Sequence, residues 1–453
     1  MSASIELAFT SPSLRRATLD IVEAVHRAGG RALLVGGCVR DATRGLPVRD
    51  VDIEVFGLAP AALERALAHD VPLASVGRSF EVLKHRSLPI DIAVPRTHGQ
   101  WDADADPREA ASRRDFTVNA VAQDPRTGAV VDPFGGLDDL AAGVLRHTSE
   151  RFDEDPLRVL RGMQLVARYE LQAAPETLER CRRLRDALLP RERVGEEWRK
   201  LLLLGVRPSL GLEFLRACGW LARTPELEAL IGCPQDPEWH PEGDVWIHTL
   251  HALDAFARRR LGDAREDWIV GLAVLCHDFG KPETTEAQEG RIVSRGHDQS
   301  GIPRTRSFLA RLTAEEDLVE DVCALVGSHL APMLLHEAKA GKTAIRRLAR
   351  KVGRIDRLVR VAHADMAGRP PLPTDPFLAG EWLLERAREL NVERAPPPRI
   401  VEGRHLIEMG FEPGSHFGPI LAACYDAQLE GRFVDLEGGL RFARSQAEAM
   451  RWR

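Results

Sequence analysis

An apolar run that ends in two glycines, Leu34-Val35-Gly36-Gly37, and passes directly into Cys38-Val39-Arg40-Asp41 leaves the backbone few choices. Glycine has no Cβ, so the chain can turn there sharply and a phosphate chain can approach the backbone closely. Arg40 stands where it would neutralise such an anion. Ten residues past Arg40 comes Asp50-Val51-Asp52-Ile53-Glu54-Val55. On a β-type run of this kind Asp50 and Asp52 leave the same face. Two convergent carboxylates suit divalent cations, which activate an attacking hydroxyl and shield a leaving anion. Asp91, in Pro89-Ile90-Asp91-Ile92, adds a third carboxylate from a neighbouring strand.

The rest of the chain shows a change of texture. Before residue 147, β-type runs (32–35, 51–55, 80–83, 90–94) alternate with helical spacing at 14–26, and the polar stretch 97–112 reads as a loop entering a helix. Beyond about 150 strand signals vanish, and 157–169, 176–189, 194–204 and 210–218 carry helical periodicity. Gly232–Asp244 is rich in Pro and Gly and marks a boundary, as does 369–376. The 453 residues suggest about three domains by length. The segmentation expected is 1–147, 148–235, 236–370 and 371–453, in an α+β chain with its sheet at the front and helices behind.

Composition narrows the classes. Lys+Arg is 62 against Asp+Glu 68, a net charge of −6, so contact with nucleic acid has to be local. Seven scattered cysteines without a C-x-x-C pair argue against a disulfide framework and against a cysteine zinc site. No apolar leader and no apolar stretch of about 18 residues is visible, which leads to the expectation of a cytoplasmic protein with no membrane contact.

The run Leu34–Gly57 resembles the signature of the bacterial tRNA nucleotidyltransferase and poly(A) polymerase family, class II, with a polymerase-β-like head. The resemblance continues through Arg113–Ala120, Asp132–Leu140, Glu154–Arg161 and Glu192–Glu197, five motifs in the family's order over about 200 residues. It implies a nucleotidyltransferase head followed by all-α neck, body, HD and tail regions. It also implies template-independent addition or repair of the 3′-terminal CCA of tRNA from CTP and ATP, with Mg²⁺ held by Asp50 and Asp52. Gly37, Arg40, Arg114 and Arg161 would contact the nucleotide's sugar and triphosphate.

Asp155 and Arg158 have a chemistry of their own. At i and i+3 on a helix they share a face, where the carboxylate accepts and the guanidinium donates in a fixed fork. Cytosine and adenine both offer an exocyclic amino donor beside a ring-nitrogen acceptor, whereas guanine and uracil present the reverse. A helix-surface ion pair is the commoner meaning of this spacing, and the motif series decides for the nucleotide reading. Two departures from the family stand out. Gln164 occupies a position where many relatives carry arginine, and the segment between Asp91 and Arg113 is short and lacks a Gly-rich basic stretch. The second keeps an A-adding-only enzyme or a poly(A) polymerase open.

A second constellation lies further on. Leu275-Cys276-His277-Asp278-Phe279-Gly280-Lys281 resembles the HD-superfamily signature. That resemblance implies a divalent transition metal ligated by His248, His277, Asp278 and Asp365, with His297 and His329 completing a second metal position. Its chemistry would be phosphohydrolysis of small phosphoesters such as 2′,3′-cyclic phosphates. This leaves as alternatives a hydrolase with a nucleotide-binding front domain and a non-catalytic RNA-binding module. Arginines recurring at helical spacing from 343 to 361 could track RNA phosphates or form a solvated helix face.

Overall fold

The computed structural model describes residues 5–68, 71–74, 82–97, 100–184 and 187–449. Two compact units emerge, Met1–Arg193 with Leu210–Trp220, and Val194–Ser209 with Leu221–Arg453. The seam falls inside the segment expected to form neck and body.

The first unit is built on a seven-stranded sheet. Its order is Leu73–Ala74, Leu83–His85, Ile90–Ala93, Val51–Phe56, Arg31–Val35, Ala122–Gln123 and Val130–Val131. Every neighbouring pair is antiparallel except Val51–Phe56 with Ile90–Ala93, whose parallel register sets Asp52 opposite Asp91. Val51, Ile53 and Val55 are buried in the core with Leu34, Ile90 and Ile92, which leaves Asp52 and Glu54 on the other face. Helix Pro12–Arg27 buries Leu14, Ile21, Val22 and Val25 against this layer. Its first turn is fixed by the Ser11 hydroxyl, which accepts from the Leu14 N–H. Each such fully buried aliphatic side chain stabilises by roughly 1.5–3 kcal/mol.

The strands at 32–35, 51–55 and 90–94 appear within a residue of their expected ends. Of the run 80–83, Phe80 and Glu81 lie outside the described residues, and a strand begins at Leu83. His98 and Gly99 of the polar stretch also lie outside them; around them Arg96–Thr97 pairs with Gln100–Trp101 before helix Pro107–Ser112. The helix expected over 176–189 ends at Arg183. Residues 185–186 fall outside the described set, and Pro190 disfavours helical backbone just before it.

The second unit is helical around Val245–Arg258, Ala264–Cys276, His297–Leu309, Glu316–Val326 and Ile355–Ala367. The expectation of unbroken helix there fails at one place. Thr285–Gln288 and Arg291–Ser294 form an antiparallel hairpin, turned by Glu289 and Gly290 at φ 51° and 80°. Its strands are too polar and too short to show an alternating apolar pattern in the sequence. Glu316–Glu337 has the length and mean hydropathy to cross a membrane, but half of it is buried inside the fold and turn residues 327–330 interrupt it.

Five of the six arginines of 343–361 have acidic partners. Arg347 pairs with Glu430, Arg350 with Asp426, Arg354 and Arg357 with Glu266, and Arg360 with Asp267. Paired in this way, these five arginines have less free charge to offer a phosphate chain.

Gly136 opens the helix Gly136–Ala141, where a Cβ would fall on the Thr117 carbonyl oxygen and crowd Val121. Gly136→Ala is expected to destabilise this unit by about 1–3 kcal/mol in chemical denaturation; an unchanged midpoint would show that the Thr117 carbonyl yields freely.

Candidate functional site

The strand Arg31–Val35 ends where Gly36 turns the chain at φ 73°, ψ −132°. A Cβ at Gly36 would stand 3.0 Å from Arg114 Nη1 and 3.4 Å from Asp52 Oδ2. The glycine therefore leaves open a hollow bordered by a guanidinium and a carboxylate, a donor set that fits a divalent metal bound to a triphosphate. Asp50 lies exposed in the turn before the strand, and Asp52 is open to water on it. Crowding by protein raises the Asp52 carboxyl above its ordinary value; Arg114 opposes this, while Asp91 and Asp50 add to it. Lys84 pairs with Asp91 at 2.9 Å, and Arg114 leans on Glu54 at 3.5 Å.

Arg40 sits differently from the phosphate contact expected of it. Its guanidinium is buried, 5% exposed, and donates to Asp41 Oδ1 (2.8 Å), Asn119 and the Tyr169 hydroxyl. It also lies over the Tyr169 ring, 4.3 Å from the centroid. The cation is thus a structural post behind Gly37, whose Cβ position is 3.5 Å from Arg40 Nη2. Gln164, where many relatives carry arginine, is buried and accepts from Arg168 at 3.2 Å.

Asp155 and Arg158 do not share a helix face. Helix Leu157–Tyr169 begins after Asp155, whose backbone is extended and whose Oδ1 accepts from the Leu157 N–H at 3.1 Å. Pro156 explains the break, since the residue before proline avoids helical backbone. Asp155 Oδ2 pairs with Arg193 at 2.7 Å. Arg158 donates to the carbonyls of Arg151 and Arg113, which fix its fork. One turn on, Arg161 Nε donates to Asp115 Oδ2 at 2.6 Å. Asp115 is buried, and its other oxygen accepts from the Phe116 N–H and the Asn119 amide. Burial pushes its carboxyl up, but Arg161 and those hydrogen bonds outweigh it and hold it below the ordinary carboxylate value.

In the second unit the expected residues converge. His248 and His277 present Nε2 to each other at 3.2 Å, Asp365 Oδ1 is 3.2 Å from His248 Nε2, and Asp278 Oδ2 is 3.2 Å from His277 Nε2. His297 and His329 form a second pair, Nε2 to Nε2 at 3.2 Å, with Asp278 Oδ1 3.4 Å from His297. His277, His297 and His329 each donate Nδ1–H to a carbonyl three residues back, at 2.7 Å. Their Nε2 lone pairs therefore face inward, and opposed lone pairs at this distance call for a shared cation or an added proton. Neither oxygen of Asp278 accepts a well-formed hydrogen bond, although Lys281 Nζ is 2.8 Å away. Buried imidazoles and carboxylates grouped this closely suit a bound metal ion. Burial above all, with His277 beside it, presses His329 down to about 4, while the His277, Lys281 and His297 side chains hold Asp278 well below its ordinary value against burial.

Residues the sequence did not single out complete both sites. Asp115 and Tyr169 brace the head's arginines. His240 and Glu242 come from the Pro/Gly-rich stretch read as a boundary, and they stand beside the histidine cluster. The cluster opens into a cavity of about 250 Å³ lined also by Trp239, Lys281 and Arg369. The clue was available: a histidine and two glutamates, Glu238, His240 and Glu242, inside an otherwise breaker-rich segment.

Comparison with known proteins places the chain in a family. Residues 32–146 match the family described as the poly A polymerase head domain. The multifunctional CCA protein of Stenotrophomonas maltophilia strain R551-3 is 36% identical over 405 residues, covering 82% of this chain and 96% of that protein. That of Laribacter hongkongensis is 37% identical over 371 residues, covering 77% of this chain and 87% of its own length. Among solved structures, the Bacillus stearothermophilus CCA-adding enzyme in complex with CTP shares the fold at a TM-score of 0.67 and 23% identity, over 98% of this chain and 99% of that one. The Thermotoga maritima CCA-adding enzyme complexed with tRNA does so at 0.56 and 18%, over 96% of each. With more than four-fifths of its length aligned at over a third identity, and its head motifs intact, the chain belongs to the multifunctional CCA protein family.

Proposed function

We infer that this protein is a template-independent tRNA nucleotidyltransferase that adds or repairs the 3′-terminal CCA of tRNA from CTP and ATP. The observation that carries the reading is the hollow at Gly36, bordered by Arg114 and Asp52 and set beside Asp50. In the reaction the tRNA 3′-hydroxyl attacks the α-phosphorus of the incoming nucleotide and pyrophosphate leaves. Asp50 and Asp52 would hold Mg²⁺, which when bound eases deprotonation of that hydroxyl and shields the leaving pyrophosphate.

The chain's own residues do the rest. Gly36 and Gly37 let the triphosphate lie against the backbone, and Arg114 offsets its charge. Arg158, pre-aimed by two carbonyls, donates to the base's ring nitrogen, and Asp155 accepts from the exocyclic amino group in competition with Arg193. Arg161 reaches toward the sugar and phosphates from its anchor on Asp115. The division into head, neck and body, HD region and tail at 147, 235 and 370 remains part of this proposal.

A second activity is favoured by the facing histidine lone pairs: divalent-metal-dependent phosphoester hydrolysis in the second unit. His248, His277, Asp278 and Asp365 would hold the metal, which supplies an activated water. Lys281 and Arg369 line the cavity beside it and would receive the phosphate.

Three transcripts ending at the discriminator base, at C and at CC, offered CTP and ATP singly and together, test the first reading. Completion of all three to CCA is expected. Growth of the CC end alone would mean an A-adding specialist, long A tails a poly(A) polymerase, and no growth would end the transferase reading. Asp52→Asn is expected to slow addition by about 10³-fold or more, without loss of metal-dependent hydrolysis of bis(p-nitrophenyl) phosphate. Asp278→Asn should do the reverse, and loss of both activities in either variant would contradict two separate sites.

Asp115→Asn is expected to raise the KM for both nucleotides and to lower stability at pH 7 by about 2 kcal/mol. The folded-state value of Asp115 is depressed, so its contribution is present above the unfolded value of about 4 and fades as pH falls through the folded one. The stability gap between wild type and variant should therefore narrow in acid, as read from urea unfolding at a series of pH values.

A further inference from the structure

Three of the four histidines in the second unit's cluster are oriented by backbone. His277 closes helix Ala264–Cys276, His297 opens helix His297–Leu309, and His329 lies in the turn after helix Glu316–Val326. Each reaches a carbonyl three residues earlier with Nδ1. His248 cannot do the same. It lies within the first turns of helix Val245–Arg258, where the carbonyls around it serve the helix itself.

Its Nδ1 instead meets Glu242 Oε1 at 2.8 Å, with the Gly368 carbonyl further off at 3.2 Å. The same Glu242 oxygen accepts from His240 Nδ1 at 2.9 Å. The Glu242 side chain is 1% exposed, and its second oxygen is buried without a hydrogen-bond partner. A buried carboxylate satisfied on one side only is costly unless positive charge lies close by. One imidazole away, on the far side of His248, is the place where the cation would be held.

We propose that Glu242 is a positioning residue of the metal centre: it fixes His248 with Nδ1 protonated and Nε2 turned to the cation, and its charge strengthens that ligand. The inference rests on the metal-centre reading of the cluster. Carboxylate–histidine–metal relays of this type change metal affinity by about 10- to 100-fold when the carboxylate is lost. A purely structural glutamate would change stability and leave the affinity of folded protein alone.

The test titrates the full-length protein with Co²⁺, following visible d–d absorption, with thermal unfolding and nucleotide addition to a tRNA transcript measured on the same preparations. Wild type is expected to bind. Glu242→Gln should bind about 10- to 100-fold more weakly with an altered spectrum, while addition of nucleotides is unchanged. Glu242→Asp keeps the charge but withdraws it by one methylene, and should fall between the two. It also serves if the glutamine variant does not fold. Wild-type affinity and spectrum in a folded variant would overturn the assignment and leave the metal centre standing. Absence of Co²⁺ binding by the wild type would overturn both.

Discussion

Two like charges held side by side by a parallel strand pairing dictate the arrangement of the head. The register of Val51–Phe56 with Ile90–Ala93 sets Asp52 and Asp91 opposite one another, and backbone hydrogen bonds keep them from drifting apart. Such a pair raises its own carboxyl values unless cations surround it. Lys84 sits on Asp91, Arg114 borders Asp52, and Arg161 adds to the field there. Asp52 nonetheless remains raised, chiefly because protein crowds it and in smaller part because Asp91 and Asp50 lie near. A site whose anions are left under-compensated favours arriving cations, and the glycine turn beside it provides the room.

The arginines around that site are graded by what holds them. Arg40 is buried and committed to Asp41, Asn119 and Tyr169, so it contributes rigidity and fixed positive potential. Arg158 is aimed by carbonyls, which carry no net charge and so leave its own charge available to a ligand. Arg161 is tethered through Nε to a carboxylate that is itself buried and three times hydrogen-bonded. Preorganisation of this kind lowers the entropy lost when a nucleotide binds. Asp155, by contrast, is held by Arg193 rather than by Arg158.

The head was legible in the sequence because its signals are local. Alternation of Val51, Ile53 and Val55 with charged residues defines a strand facing two ways, and Gly-Gly after an apolar run defines the turn. Helix Leu157–Tyr169 appeared with its expected ends. What escaped lacked a local apolar pattern, crossed a helix-breaking proline or depended on distant partners. The hairpin at 285–294 has no apolar alternation and exists because a positive-φ turn and its neighbours admit it. The relation of Asp155 to Arg158 was misread because helical spacing was applied across Pro156. The arginines of 343–361 look like an RNA-facing stripe until Glu266, Asp267, Asp426 and Glu430 are seen beside them, and those acids lie more than 60 residues away in the chain.

That contrast separates structural from chemical charge in the second unit. Where Arg357 meets Glu266 and Asp321, every cation finds an anion and the cluster can be read as scaffold. In the histidine cluster the fold does the opposite. It orients four imidazoles so that lone pairs confront one another at 3.2 Å, and it buries Asp278 without a well-formed hydrogen bond. Replacing either histidine pair by apolar side chains would relieve that cost, so folding stability alone does not account for the arrangement. Donor atoms kept bare in a buried pocket are stabilised once a cation is shared among them, which ties this part of the fold to its chemistry rather than to its packing.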